Sequence, residues 1–242
     1  MKKIFLIILL IISPQILTCS PDNKKNGEEM HSIKTIDLPA PQYNSTTSVE
    51  EALKNRRSIR SFHDAPLKLE HLAQILWAAY GITQKVDSGP NYLRGGLRTA
   101  PSAGALYPLE IYVVCGDVEK LTAGIYKYNS ENHTLKYIAA KDDKMSQLSK
   151  AALGQSHVKN AAANLVYSAI FERTTRKYGQ RGKNRYVCMD LGHSAENVYL
   201  QAYSLGIGTC AVGAFNDKSV REVMNLPEKE TPLYIMPLGY IK

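Results

Sequence analysis

Apolar residues recur with the period of an α-helix in two parts of the 242-residue chain. In the first part, Leu69, Leu72 and Leu76 lie on one face of a helix that the pattern ends near Gly81. In the second part, apolar positions follow one another at intervals of four, three, four and three residues, which predicts a long buried helix with small residues for close packing. The members of this series are Leu191, Ala195, Val198, Ala202 and Leu205.

Two shorter helices and five strands complete the pattern. One helix is predicted over residues 48–54, where Ser48 and Glu51 have the spacing of a capping box, and another near residues 143–153. Runs rich in β-branched and aromatic residues predict strands at residues 110–115, 124–128, 134–139, 164–171 and 233–238. This irregular alternation favours an α+β fold, with a mainly antiparallel central sheet between layers of helices, over a doubly wound parallel sheet.

The N-terminus has the pattern of an export signal. Lys2 and Lys3 precede an apolar run over residues 4–12 that is too short to cross a bilayer. The residues around Cys19 resemble a bacterial lipoprotein processing site, with residues 1–18 as the signal peptide and Cys19 as the lipidated residue. The alternative is an ordinary secretory signal peptide. We therefore expect an exported protein, anchored to a membrane on its extracytoplasmic side through Cys19 or, in the alternative, secreted or periplasmic.

The remainder of the chain is predicted to form one domain behind a polar tether. Residues 19–45 contain few large apolar side chains, which is typical of a tether. Residues 46–242 are numerous enough for one sizeable core, and no repeat or second boundary interrupts them.

The charge of the chain is basic, with 30 Lys and Arg against 22 Asp and Glu, a formal net charge of +8. Removal of Lys2 and Lys3 with the signal peptide leaves 28 against 22, or +6. The cations are dispersed apart from residues 56–60 and 173–185, and the stacking aromatic residues of a nucleic-acid binder are missing. We therefore expect an anionic ligand and a membrane surface as partners of this charge, and no nucleic acid.

The cysteines and histidines predict neither a disulfide framework nor a metal site. If Cys19 is lipidated, an odd number of thiols remains. Cys115, Cys188 and Cys210 each have the neighbours of a buried core thiol. There is no CxxC pair, and the six histidines are scattered, so we predict no metal.

The densest set of anion ligands in the chain is Arg56-Arg57-Ser58-Ile59-Arg60. Three guanidinium groups and a hydroxyl can bind a phosphate group through charge-assisted hydrogen bonds. The alternative is a solvated basic helix end, where cations suit the helix dipole.

Two further segments could bring backbone close to a flat ligand. Residues 100–110 are small, contain Pro101 and Pro108 and precede a strand, and small residues let a backbone approach a ring closely. Residues 206–217 follow the long helix and contain glycines whose N–H groups could face a ligand. Gly206 itself suits the position just after a helix end.

Taken in this order, the three segments resemble those of the FMN-dependent nitroreductase family. Within the family they are most similar to the SagB-type dehydrogenases, which are thiazoline and oxazoline oxidases of peptide maturation. Ala105, at a position where many nitroreductases have Asn, favours this branch. The resemblance runs from about Ser48 to the C-terminus, and further residues carry it at 76–83, 177–181, 185–186 and 192–197.

The resemblance implies a fold, a cofactor and a set of site residues. It implies a three-layer α+β sandwich that dimerises through long helices, with FMN at the interface of the homodimer. The residues it assigns to the FMN phosphate and ribityl region are Arg56, Arg57, Ser58 and Arg60. Those it assigns to the flavin bound by the other subunit are Pro101, Ser102 and Ala103, and those it places with their backbone near flavin N5 and O4 are Gly213 and Ala214.

Lys177 and Tyr178 match the position of the catalytic pair proposed for the SagB-type branch. Azoline oxidation requires a base that removes a proton from the substrate, and a Lys or Tyr side chain can supply it. The alternative is a basic, solvated loop after the fourth strand. His193, on the long helix, is interpreted as a structural histidine.

Three functions remain open at this point. The first is an FMN-dependent oxidoreductase of SagB type that dehydrogenates a C–N bond in a peptide or small molecule. The second is a broad nitro or quinone reductase, and the third is a non-catalytic flavin-binding lipoprotein. Export would separate the protein from cytoplasmic NAD(P)H, so neither the electron partner nor the substrate follows from the sequence.

Overall fold

The computed structural model describes residues 35–86, 88–139 and 143–242, and most of the strands within them form a single sheet. The strands are β1 (Thr35–Asp37), β2 (Ile82–Lys85), β3 (Gly96–Arg98), β4 (Leu109–Cys115), β5 (Gly124–Asn129), β6 (Thr134–Ala139), β7 (Ala163–Ala169), β8 (Ile207–Thr209) and β9 (Thr231–Tyr240). Seven of them pair in the order β1-β6-β5-β4-β7-β9-β8, and every pair in that sheet is antiparallel. β2 and β3 form a separate antiparallel pair.

Within the described residues the structure has seven α-helices. They are α1 (Val49–Asn55), α2 (Leu69–Tyr80), α3 (Lys144–Ala151), α4 (Ser156–Lys159), α5 (Glu172–Arg181), α6 (Val187–Ser204) and α7 (Asp217–Met224). Ser48 caps α1, because its hydroxyl accepts a hydrogen bond from the Glu51 N–H at 3.0 Å. Gly206 follows the end of α6 with φ +68°, the left-handed conformation expected for this position. A π-helical turn, Gly182–Tyr186, joins α5 to α6.

The sheet lies between two layers of helices. Successive side chains of a strand point to opposite faces. Val113 accordingly packs in a core with residues of α2 and α6, whereas Val114 packs in a second core with residues of α3 and α7. Leu165 and Val166 on β7 divide between the two cores in the same way. The predicted α+β fold, with a mainly antiparallel sheet flanked by helices, is confirmed.

Apart from the elements that were not predicted (β2, β3, β8, α4, α5 and α7), three details differ from what the sequence predicts. β1 pairs with β6 and Leu38 is buried, so the folded body extends into the segment predicted as a tether up to residue 45. α6 starts at Val187, one turn before Leu191. Cys188 is exposed, because it lies beside the buried stripe of α6, while Cys115 and Cys210 are buried as predicted.

The N-terminal predictions concern a part of the chain that lies outside the described residues. This applies to the signal peptide over residues 1–18, to Cys19 and to the tether up to residue 34. From residue 35 onward, the described helices are all too short or too polar to cross a membrane.

Candidate active site

The basic segment at residues 56–60, called here the phosphate cradle, leaves α1 in an extended conformation and lies against β8. Arg56 ends the helix with φ −55° and ψ 137°. Ser58 and Thr209 form a parallel bridge, and the Ile59 N–H donates to the Thr209 carbonyl at 2.8 Å. Two of the three predicted ligand-binding segments, far apart in sequence, are therefore neighbours in the fold.

Tyr199 on α6 joins these two segments, and sequence reasoning missed it. Its hydroxyl lies 3.2 Å from the Ser58 hydroxyl and accepts a hydrogen bond from the Ala211 N–H at 2.7 Å. The Arg56 guanidinium carbon lies 5.3 Å from the centre of the Tyr199 ring, within the range of a cation–π interaction. A polar-tipped aromatic residue one position after the buried Val198 is the signal that could have identified it.

The side chains of the cradle are largely available to an external anion. Arg57, Ser58 and Arg60 are exposed and Arg56 is half-buried. The Arg57 guanidinium donates to the carbonyls of Lys54 at 3.0 Å and Arg56 at 2.8 Å, so it also satisfies the end of α1. The helix-end interpretation and the phosphate interpretation thus describe two roles that the same segment can combine.

Gly213 and Ala214 present backbone donors next to this region. Val212 pairs with Ile235 of β9, which fixes the start of the segment. The Ala214 carbonyl accepts a hydrogen bond from the Gln155 amide at 2.9 Å. Among the described residues, nothing accepts a hydrogen bond from the N–H of Gly213 or Ala214. Both residues are exposed, so these two N–H groups are free to donate to a ligand.

The segment at residues 101–107, called here the 101–107 loop, is held by the other end of α6. The Asp190 carboxylate accepts hydrogen bonds from the Ser102 hydroxyl at 2.6 Å and from the Ala103 N–H at 3.2 Å. Burial raises the pKa of Asp190, while these two donors act in the opposite direction. His193 also bonds to the Pro101 carbonyl at 3.2 Å, which agrees with a structural role for this histidine. Sequence reasoning missed Asp190, because a carboxylate in an apolar helix gives no sign of what it binds.

Lys177 and Tyr178 lie against the same loop. A Cβ atom on Gly104 would be 2.8 Å from the Tyr178 hydroxyl and 3.2 Å from the Lys177 ammonium nitrogen. Gly104 has φ +63°, so both its conformation and the space around it suit glycine. The Tyr178 ring packs edge-on against Tyr186 of the π-helical turn, with 4.9 Å between ring centres. The pair thus belongs to α5 and to a structured corner, whereas the alternative interpretation placed it in a solvated loop.

The candidate residues form two half-sites at opposite ends of α6. The phosphate cradle and the free N–H groups are joined through Tyr199, while the 101–107 loop and the Lys177–Tyr178 pair meet near Asp190. Nine residues separate Tyr199 from Asp190, which corresponds to about 13 Å along a helix. A single chain therefore does not bring the two sets of residues to one point.

The face of α6 between the half-sites carries no cover from the rest of the described chain. Exposed residues recur along it at helical spacing: Met189, Gly192, His193 and Glu196. A Cβ atom on Gly192 would meet nothing within 4 Å. Met189 is a large apolar residue with half of its surface exposed. This face is therefore open to solvent in the single chain.

Comparisons with known proteins give relatives of this chain in sequence and in fold. A model of the nitroreductase family matches residues 53–240. The protein MJ1384 of Methanocaldococcus jannaschii, named as a nitroreductase, is 44% identical over 206 residues, which cover 85% of this chain and 96% of that protein. The trifolitoxin-processing protein TfxB of Rhizobium leguminosarum bv. trifolii is 33% identical over 147 residues, or 59% of this chain and 39% of that protein. A crystal structure named as a nitroreductase of Ralstonia eutropha JMP134 is similar with a TM-score of 0.70 and 30% identity, covering 86% of this chain and 90% of that one.

Proposed function

Since this chain belongs to the nitroreductase family, an oxidoreductase family that typically uses FMN and forms dimers, we propose that it is a SagB-type dehydrogenase that oxidises a C–N bond in a peptide or small molecule. The oxidoreductase class and the FMN cofactor follow from family membership. The substrate class and the direction of electron flow are the proposal. Similarity to a trifolitoxin-processing protein supports it.

The residues around the phosphate cradle fit FMN. Exposed guanidinium groups of the cradle would hold the phosphate, and the free N–H groups of Gly213 and Ala214 would donate to the polar edge of the ring. Pro101, Ser102 and Ala103 would close the site from the second subunit. When bound, FMN supplies a two-electron acceptor for a hydride.

The observation that carries the proposal is the meeting of Lys177, Tyr178 and Gly104. A simple hydride relay requires no base, whereas dehydrogenation of a C–N bond must also remove a proton from the substrate. Two side chains able to hold that proton converge on a glycine of the loop that is proposed to face the flavin. The short distances from Gly104 to both polar tips support a role for the pair at this loop.

The test is the anaerobic rate of flavin bleaching by an azoline-containing peptide, NADH or NADPH. We expect Lys177→Ala and Tyr178→Phe to keep FMN affinity and the flavin spectrum but to slow peptide-driven bleaching about 10²–10⁴-fold, the usual contribution of general-base catalysis. Arg176→Ala is the matched control, because Arg176 is an exposed cation on the same helix and lies outside the contacts at Gly104. Peptide-driven bleaching that is equally fast in all three variants would contradict the catalytic role of the pair.

A nitro or quinone reductase is the second candidate function. The similarity to MJ1384, which is named as a nitroreductase and is covered almost completely, favours it. Rapid bleaching by NADH or NADPH, unaffected by Lys177→Ala or Tyr178→Phe, would support this function over the dehydrogenase. The absence of bleaching with every donor would support the third function, a flavin-binding protein without catalysis.

We also propose that the protein is exported and anchored through a lipidated Cys19. The motif around Cys19 and the basic, apolar N-terminus support this proposal. Cys19→Ser should then abolish fatty-acid labelling and release the protein from membranes, since a polar tether offers no other anchor. If the wild type takes up no fatty-acid label, the protein is secreted or periplasmic and Cys19 is incidental.

A further inference from the structure

A cavity lies behind the 101–107 loop, away from the phosphate cradle. Its volume is about 590 Å³, and no residue of the cradle lines it. Cavities of about 300–1,000 Å³ are the size that small-molecule ligands occupy. The cations that line it are Arg94, Arg98, Lys127, Lys136 and Arg173, and the carboxylates are Asp37, Glu110 and Glu131.

The carboxylates do not neutralise the innermost cations. Arg173 pairs with Glu110 at 2.5 Å, and Lys127 pairs with the other oxygen of Glu110 at 2.9 Å. Lys127 also pairs with Glu230 at 2.9 Å. Within the described part of the chain, Arg94 and Arg98 form no ion pair with any carboxylate. The Arg98 guanidinium instead lies over the rings of Tyr80 and Tyr107, 4.7 and 5.0 Å from their centres, so no carboxylate of the described residues balances the charge of either arginine.

Arg98 is the more deeply buried of the two, with only 8% of its surface exposed. Its terminal nitrogens donate to the carbonyls of Tyr80 and Arg94, each at 3.1 Å, and to the Ser130 hydroxyl. Its Nε, which is also buried, has no hydrogen-bond partner. A donor left unpaired at such depth is destabilising unless a ligand accepts a hydrogen bond from it.

Arg94 connects the cavity to the loop. Its guanidinium donates to the carbonyls of Leu106 and Tyr107, and Arg173 donates to the same Tyr107 carbonyl at 3.3 Å. Two like charges are therefore held at one carbonyl oxygen. Burial and then the neighbouring Arg173 lower the pKa of Arg94 to about 10, which shows that its environment disfavours the uncompensated charge.

We propose that this cavity is a second ligand site that binds an oxyanion, a carboxylate or phosphate group of a small molecule, through Arg94, Arg98 and Lys136. An anion there relieves the repulsion between Arg94 and Arg173, whose guanidinium groups hold the carbonyl of Tyr107. Occupancy of the cavity therefore stabilises the 101–107 loop through the two arginines that bind the Tyr107 carbonyl. The site differs in its residues from the phosphate cradle and goes beyond the proposed function.

The experiment titrates the FMN-loaded full chain with sodium phosphate or sodium succinate, at constant ionic strength set with sodium chloride, and records heat of binding and the midpoint of thermal unfolding. Excess FMN keeps the phosphate cradle filled. We expect saturable binding and a midpoint that rises with ligand concentration, as for any ligand of the native state. A response to phosphate alone assigns phosphoryl ligands to the cavity, and a response to succinate alone assigns carboxylates.

Variants decide where the anion binds. Lys136→Gln removes an exposed cation from the rim and should weaken binding severalfold, and Arg94→Gln should weaken it about tenfold or more, the size of a charge-assisted hydrogen bond. Lys229→Gln, an exposed cation outside the cavity, should change nothing. If Arg94→Gln fails to fold, Lys136→Gln alone decides. No saturable binding to the wild type, equal binding in Lys136→Gln and Lys229→Gln, or binding that vanishes with excess FMN would each overturn the proposal.

Discussion

Tyr199→Phe should weaken FMN binding by loosening the contact between the phosphate cradle and the segment around Ala211. The substitution removes only the hydroxyl, which accepts from the Ala211 N–H at 2.7 Å and lies 3.2 Å from the Ser58 hydroxyl. The ring beneath Arg56 remains, so the cation–π interaction is kept. Two neutral hydrogen bonds at a partly exposed site contribute about 1–2 kcal/mol together.

The free energy of these two hydrogen bonds sets the expected changes in thermal stability and in FMN affinity. A loss of about 1–2 kcal/mol lowers the unfolding midpoint of a chain of this size by roughly 2–8 °C. If the whole of that free energy were needed to rebuild the site on binding, FMN affinity would fall by about 30-fold at most, since 1.4 kcal/mol corresponds to a factor of ten. We therefore expect a loss of about 5-fold to 30-fold, measured by flavin fluorescence titration of the apoprotein.

Tyr203→Phe is the matched control for Tyr199→Phe. Tyr203 lies one turn further along α6, and its hydroxyl donates only to the exposed Glu51 carboxylate, at 3.3 Å. An exposed hydrogen bond of this kind contributes little, so FMN affinity should stay within about twofold of the wild type. Equal FMN affinities for the two variants would refute the role assigned to Tyr199.

Three further outcomes are expected. Gly104→Ala should cost about 1–2 kcal/mol of unfolding free energy, measured by urea titration, because φ is +63°. The added Cβ should also displace Lys177 and Tyr178, so that substrate-driven bleaching in stopped-flow absorbance slows while FMN stays bound. Unchanged bleaching would count against the contact. In native protein lacking residues 1–19, a thiol reagent should label the exposed Cys188 rapidly and spare the buried Cys115 and Cys210. Burial also raises the pKa of Cys115 to about 12. Labelling of all three thiols at one rate would contradict the burial. Burial lowers the pKa of His133, so the unfolded state binds more protons below about pH 6.5, and stability should fall as pH drops from about 7 to 5. His133→Asn should make this loss of stability shallower, as measured by urea unfolding. The same dependence of stability on pH in the variant and the wild type would contradict the assignment.

The sequence was sufficient for the layers of the fold because they depend on local periodicity. The alternation of Val113 and Val114 between two cores and the apolar stripe of α6 are both visible along the chain. β1, β2, β3 and β8 were missed, because strands of three or four residues carry almost no periodic signal. The exposure of Cys188 was missed as well, because a single step around a helix decides between core and solvent.

The candidate site was only partly predictable for a different reason. The charged and glycine-containing segments could be recognised, since their composition is unusual for a core. Tyr199 and Asp190, which hold those segments in place, could not, because their partners are about 10 to 140 residues away along the chain. Tertiary contacts of this kind leave no mark on the local pattern of either segment.

The proposed function depends most directly on an active site shared between two subunits. The decisive measurement is the flavin-bleaching rate of a purified heterodimer, in which one chain carries Arg56→Ala and Arg57→Ala and the other carries Lys177→Ala and Tyr178→Phe. Each parental homodimer should be nearly inactive, whereas the heterodimer recombines one intact cradle with one intact loop and pair. It should therefore show about half of the wild-type rate, one working site out of two. A heterodimer as inactive as its parents, or a fully active Lys177→Ala/Tyr178→Phe homodimer, would contradict the shared site.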